Sequence, residues 1–190
     1  MHRELEIARK TIFEGAIITV RIDRVRLPNG KEATREVVSH PGAVAVLAVT
    51  SEKKVLLVEQ FRKPIEKNLL EAPAGKLEPT ESIESCVKRE LAEETGYHSD
   101  MWIPIGSIFT TAGFSDEKIW LFLALNAQKG KAQPDEDEFL SLHTVDWDWL
   151  WAQAETGVIE DAKTLALLIR AKSKVEAYFD DIPTDRRESF

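Results

Sequence analysis

Glu90, Glu93 and Glu94 crowd three carboxylates into five residues, with the guanidinium of Arg89 directly beside them. Oxygen donors with no histidine or cysteine ligand at matching spacing favour a hard divalent cation, Mg²⁺ or Mn²⁺, over Zn²⁺. The local physics makes the crowding costly without such a partner. Like charges at i, i+4 oppose a helix by about 0.2–0.5 kcal/mol per pair. Anions beside a helix C-terminus add roughly 0.3–1 kcal/mol. Conflicts of this kind are expected where a site has a function.

The element that must position these groups is a helix closed by Gly96. Ile83, Cys86, Val87 and Leu91 recur at helical spacing. Thr80 or Ser82 can cap its start, and Glu81 and Glu84 suit its positive end. Gly96 is a left-handed stop. At about 100° per residue, Glu90 and Glu94 continue the stripe begun by Ile83 and Val87, and Glu93 flanks it. Glu84, Ser85, Lys88 and Ala92 fall on the other side. A solvated acidic face would lie opposite the apolar stripe, whereas these carboxylates replace the stripe itself.

Residues 75 to 97 in full resemble the Nudix box, G-x5-E-x7-R-E-U-x-E-E-x-G-U, where U is a bulky apolar residue. Gly75, Glu81, Arg89, Glu90, Leu91, Glu93, Glu94 and Gly96 fall in register, and Tyr97 stands at the last apolar position. The resemblance implies cleavage of a nucleoside diphosphate linked to another moiety, with Mg²⁺ or Mn²⁺ as cofactor. It implies that Glu90 and Glu94 ligate metal, that Arg89 orients a glutamate, and that Glu93 is a further ligand or a base. It also points to the carbonyl of Ala74 as a metal ligand.

Segments outside the box are similar to ADP-ribose pyrophosphatases: Arg35-Glu36-Val37-Val38, His40-Pro41-Gly42-Ala43, Glu59-Gln60-Phe61-Arg62, Glu71-Ala72-Pro73-Ala74-Gly75 and Gly113-Phe114-Ser115-Asp116-Glu117. The similarity runs from about residue 11 to about 172. One departure is Ala112, where these enzymes commonly carry proline. By this resemblance Glu117, in a flexible loop, is the candidate general base, with Glu93 its rival. Arg62, and Arg35 from the N-terminal region, are candidates to grip the substrate, since a planar guanidinium can hold a diphosphate bidentately. The acidic stretch Asp135–Glu138 reads as a solvated loop, but the resemblance places the matching loop near the substrate and so makes Glu138 a further candidate substrate contact. The four histidines lack metal-ligand spacing and read as incidental.

The rest of the chain frames this site. Its 190 residues, 43% hydrophobic, suffice for one compact domain with a small accessory layer. A net charge of −8 argues against a nucleic-acid partner. No apolar run is long enough to span a membrane, and the N-terminus lacks a signal-peptide pattern, so a cytoplasmic protein is expected. The lone Cys86 excludes an internal disulfide and reads as a core residue.

Residues 1–40 form an N-terminal β region, with a hairpin from residue 17 to 39 across Pro28-Asn29-Gly30-Lys31. Such a hairpin has little core of its own, and with the resemblance it suggests a homodimer with shared sites. Residues 41–180 form the catalytic domain and 181–190 a polar tail. Ala43–Thr50 is nearly continuously apolar, the pattern of a strand covered on both faces. Strands are also expected at 55–58, 69–72, 102–109, 118–126 and 139–145, and helices at 147–155 and 162–179. This order gives an α/β fold, an α/β/α sandwich around a mixed sheet.

The functional expectation is Mg²⁺-dependent hydrolysis of ADP-ribose, a small-molecule substrate, to AMP and ribose 5-phosphate. The alternatives are another nucleoside diphosphate sugar such as GDP-mannose, a dinucleotide, or a sensing module without turnover.

Overall fold

A computed structural model describes residues 2–130 and 139–182. An N-terminal antiparallel sheet is built from β1 (Leu5–Glu14), β2 (Thr19–Arg26) and β3 (Glu32–Ser39), in that spatial order. β2 and β3 form the expected hairpin, with Asp23 opposite Arg35. β1 is an additional strand. Most of its residues are exposed on both faces, so its sequence carries no clear alternation.

The main sheet follows: β4 (Ala43–Val49), β5 (Lys54–Arg62), β6 (Lys67–Glu71) and β7 (Ala74–Lys76), then helix α1 (Ile83–Thr95). Next come β8 (Tyr97–His98), β9 (Met101–Phe109), β10 (Lys118–Leu125), β11 (Gln128–Lys129) and β12 (Leu140–Asp146), then helices α2 (Trp147–Glu155) and α3 (Ala162–Asp181). The main sheet runs β12-β5-β4-β10-β9, with β6 beside β5 and β7 beside β4. β8 and β11 make a small separate pair.

All seven residues of β4 are buried, and their alternation divides the core. Ala45, Leu47 and Val49 pack with Leu57, Leu121, Leu150, Leu167 and Leu168, on the side of α2 and α3. Val44, Val46 and Ala48 pack with Leu56 and with Cys86, Val87 and Leu91 of α1. Successive strand side chains point to opposite faces, so one apolar strand serves both helical layers. Burial of this kind contributes about 25 cal/mol per Å² of apolar surface removed from water. The α/β/α sandwich with a separate N-terminal sheet is as expected. No helix among the described residues is long and apolar enough to cross a membrane.

Candidate active site

α1 begins at Ser82, whose hydroxyl accepts a hydrogen bond from the Ser85 amide at 3.1 Å. It ends at Gly96, whose left-handed φ of 71° lets its N–H reach the Ala92 carbonyl at 2.9 Å. The helical wheel holds. Glu90 and Glu94 are each only 7% exposed, on the face shared with Cys86, Val87 and Leu91. The Cys86 thiol is pushed up to about 12, chiefly by burial, which keeps it protonated and unreactive.

What faces the two buried carboxylates is backbone. β7 pairs antiparallel with the start of β4, Gly75 opposite Val44. The Ala74 amide donates to Glu94 Oε2 at 3.0 Å. A Cβ added to Gly75 would lie 1.9 Å from the Glu90 carboxyl carbon. Glycine stands here because the carboxylate occupies the space a side chain would fill.

Arg89 organises the helix from outside. Its Nε and Nη2 grip the two oxygens of Glu81 at 3.0 and 2.9 Å. Its Nη1 lies 2.7 Å from Glu93 Oε2 and 2.9 Å from Glu90 Oε1. The bond to Glu81, ahead of those to Glu93 and Glu90, holds the guanidinium well above its ordinary pKa. In turn the Arg89 hydrogen bonds pull Glu81 from 4.5 down to about 2.

A depressed carboxylate pKa stabilises the fold fully above pH 4.5, and that contribution is lost as pH falls from 4.5 toward about 2. Glu81→Gln is therefore expected to flatten the acid limb of a stability–pH curve within that window and to leave its shape near neutrality unchanged. Urea denaturation across the pH series checks this.

The sheet brings a second group to the same place. β4 and β10 run parallel, Ala43 beside Ile119, so the segments entering them arrive at one edge. His40 and Glu117 thereby meet, with His40 Nδ1 3.7 Å from Glu117 Oε1. Thr110 donates its hydroxyl to Glu117 Oε2 at 2.6 Å. His40 Nδ1 also lies 3.1 Å from the Gly42 amide nitrogen, which donates to it. Far from incidental, His40 lines the cavity beside the candidate base.

That cavity, about 490 Å³, is walled by Ala74, Gly75, Glu117, His40, Arg62 and Lys163 among others. A neighbouring cleft of about 700 Å³ is lined by Glu81, Arg89 and Glu90, and Lys76 and Ile17 border both.

The segment carrying Glu117 is fastened rather than loose. Val38 of β3 donates to the Phe114 carbonyl at 2.7 Å, and the Asp116 amide donates back to the Val38 carbonyl at 3.2 Å.

Arg62 lines the cavity, but its Nε and Nη2 are held by Glu71 at 2.7 and 2.8 Å. That pairing raises its pKa. Glu71, 1% exposed, also accepts from Lys163 Nζ, and Lys163 reaches Asp161 Oδ1 at 3.1 Å. Asp161 caps α3 through the Thr164 amide at 2.9 Å, and the Thr164 hydroxyl accepts the Ala72 amide at 2.8 Å. This network fixes the approach to Ala74. Arg62 and Glu71 stand in segments that carry the resemblance, but their pairing with Lys163 has no local signal beyond a glutamate closing the apolar run Leu69-Leu70.

Arg35 is not among the cavity's lining residues. It sits on β3 with its Nε 3.0 Å from Glu4 Oε2. From the N-terminal sheet it is Ile17, in the turn between β1 and β2, that reaches the clefts. Glu138 lies outside the described residues.

Among the described residues, no group of three or more His, Cys, Asp or Glu stands in a metal-holding arrangement. Glu90 and Glu93 lean toward Arg89, and Glu94 toward the Ala74 amide. The donor set itself fits a hard divalent cation: buried carboxylate oxygens against a backbone turn, with a glycine clearing the space.

A mixed sheet thus lies between helices, with a carboxylate-bearing helix against a glycine turn. The profile of the NUDIX domain matches residues 39–168, and that of the nucleoside diphosphate sugar hydrolase N-terminal domain matches residues 7–38. The chain belongs to the Nudix family. It is similar to an ADP-ribose pyrophosphatase of Bacillus subtilis, 46% identical over 163 residues, which span 85% of this chain and 88% of that protein. A methanol dehydrogenase activator of Bacillus methanolicus is 42% identical over 167 residues, 87% of this chain and 90% of its own. A crystal structure of an ADP compounds hydrolase shares the fold, with a TM-score of 0.81 at 16% identity, covering 95% of this chain and 97% of that one. The activity is thus Nudix-type hydrolysis of a nucleoside diphosphate-linked compound, and family membership implies dependence on a divalent metal.

Proposed function

We propose that the protein hydrolyses ADP-ribose to AMP and ribose 5-phosphate with Mg²⁺. The observation that carries this reading is that Glu90 and Glu94 stand against the Ala74–Gly75 backbone, which also walls the cavity that Glu117 lines, in a chain 46% identical to an ADP-ribose pyrophosphatase. Glu90, Glu94, Glu93 and the Ala74 carbonyl would hold the metal. When bound, it supplies charge neutralisation of the diphosphate and acidifies water.

The chain's own residues do the rest. Glu117, held by the Thr110 hydroxyl, takes a proton from the water that attacks phosphorus, as the P–O bond to the leaving phosphate breaks. Glu93 is the weaker candidate, since it is tied to Arg89 at 2.7 Å. Arg62, partly exposed at the cavity beside its fork to Glu71, is the cation for the diphosphate oxygens, and Arg89 keeps the helix carboxylates aimed. The reading extends to a cytoplasmic homodimer. The large exposed apolar side chains Leu5, Ile12, Phe13 and Ile17 of the N-terminal sheet are the surface that supports it. Sedimentation at twice the 21.5 kDa chain mass is expected.

The test is a product assay. ADP-ribose with Mg²⁺ is expected to give AMP, and EDTA to abolish turnover. Turnover of GDP-mannose or a dinucleotide in place of ADP-ribose would overturn the substrate, and tight ADP-ribose binding without turnover would overturn the enzyme. Glu94→Gln is expected to lower kcat by about 100-fold with the fold intact. Unchanged activity would exclude Glu94 as a ligand.

A further inference from the structure

Beside its backbone bonds to Val38, the segment entering β10 is fastened by one side chain. Asp116, next to Glu117, spends both carboxylate oxygens on the end of β3: Oδ1 accepts the His40 amide at 2.9 Å and Oδ2 accepts the Ser39 hydroxyl at 3.0 Å. Arg21 of β2 stands behind, its Nη1 3.8 Å from Asp116 Oδ2 and its Nε 3.1 Å from the buried Asp23. Arg21 Nη1 also donates to the same Ser39 hydroxyl. A backbone bridge pairs Val38 with Ser115 alongside. The side chain of Asp116 thus adds to the backbone bridge a charged link between the N-terminal sheet and the segment that carries Glu117, across 77 positions of sequence.

We propose that Asp116 is a positioning residue: it locks the Glu117-bearing segment onto the N-terminal sheet and so sets where Glu117 stands. The proposal rests on the reading of Glu117 as the base. Charge-assisted hydrogen bonds are about twice as strong as neutral ones, and both oxygens are used here. The same contact fixes His40 through its backbone, so the two groups that meet at Glu117 share one anchor. A misplacement of about 1 Å in a reacting group can cost on the order of 100-fold in rate. The clasp therefore acts chiefly on kcat, since most of the cavity wall, Arg62 and Ala74 included, is held by other contacts.

The experiment compares Asp116→Ala, Asp116→Asn and Ser39→Ala in the full chain with Mg²⁺ and ADP-ribose, alongside amide hydrogen exchange over residues 111–118. Asp116→Ala is expected to lose about 10- to 100-fold in kcat with KM within about threefold, and to speed exchange in that segment. Asp116→Asn, which keeps an acceptor for the His40 amide, is expected to recover part of both. Ser39→Ala removes the hydroxyl that bonds both Asp116 and Arg21 but leaves the Asp116 charge and its bond to the His40 amide, and is expected to show a smaller change of the same kind. Adding Arg21→Ala to Asp116→Ala is expected to cost less than the sum of the two singles. Unchanged exchange in Asp116→Ala, or unchanged kcat, overturns the proposal. Glu117→Gln separates the two readings. Full activity there would sink the assignment of the base, while the exchange measurement still decides the clasp.

Discussion

Gly75→Ala is expected to lose about 100-fold or more in kcat/KM while the protein stays folded. The new methyl group would lie 1.9 Å from the carboxyl carbon of Glu90 and 2.3 Å from its farther oxygen. One of the two must move, and the backbone of β7 is held in the sheet opposite Val44. The Glu90 carboxyl is the end of a rotatable side chain, so it yields. The stability cost then stays near the low end for overpacking, about 1 kcal/mol. The functional cost is large, because the carboxylate leaves the place from which it would serve a cation. Steady-state kinetics with a urea midpoint on the same preparation checks both halves. Near-normal activity would mean that Glu90 is not needed where it stands.

The second large effect is on stability. Glu71→Ala is expected to destabilise the fold by about 3–5 kcal/mol, the cost of breaking a buried ion pair by removing one partner. Glu71 is 1% exposed and balances two cations, the Arg62 fork and the Lys163 ammonium. Lys163 keeps Asp161 at 3.1 Å, but its 10% exposed side chain has little water to turn to. Glu71→Gln keeps acceptor and shape and is expected to cost less. Combining Glu71→Ala with Lys163→Met removes both members of the pair and is expected to recover part of the loss. Chemical denaturation of the three variants measures the order.

These two sites differ in how far the sequence foretells them. The helix wheel needs only local spacing, so Glu90 and Glu94 are legible, and the seven apolar residues of β4 announce a strand covered on both sides. Glu71 and Lys163 meet across 92 positions. Neither breaks a local pattern strongly enough to stand out, because an ion pair is invisible until the fold brings its halves together. The loop at Glu117 fails in the same way. Its glycine and polar residues read as mobile, and the backbone bonds that tie it to Val38 depend on tertiary pairing. β1 escapes notice because its two solvated faces impose no alternation. Arg62 lines the cavity, but its fork to Glu71 is a tertiary contact that composition does not encode, since in the β5–β6 register Arg62 stands opposite Lys67 and Glu71 opposite Val58.

The parity of β4 carries a consequence for how this chain tolerates change in length. Odd positions of the strand serve the α3 layer and even positions serve the carboxylate helix. Inserting or deleting one residue inside it would exchange the two sets at a stroke. The downstream half of the strand would then offer each layer the side chains shaped for the other. Substitutions at single positions act on one layer at a time, so each layer can drift separately. A single-codon indel strikes both layers together, along with the alignment that lets His40 meet Glu117. A change of length inside β4 is therefore expected to be tolerated less well than a substitution at any one of its positions.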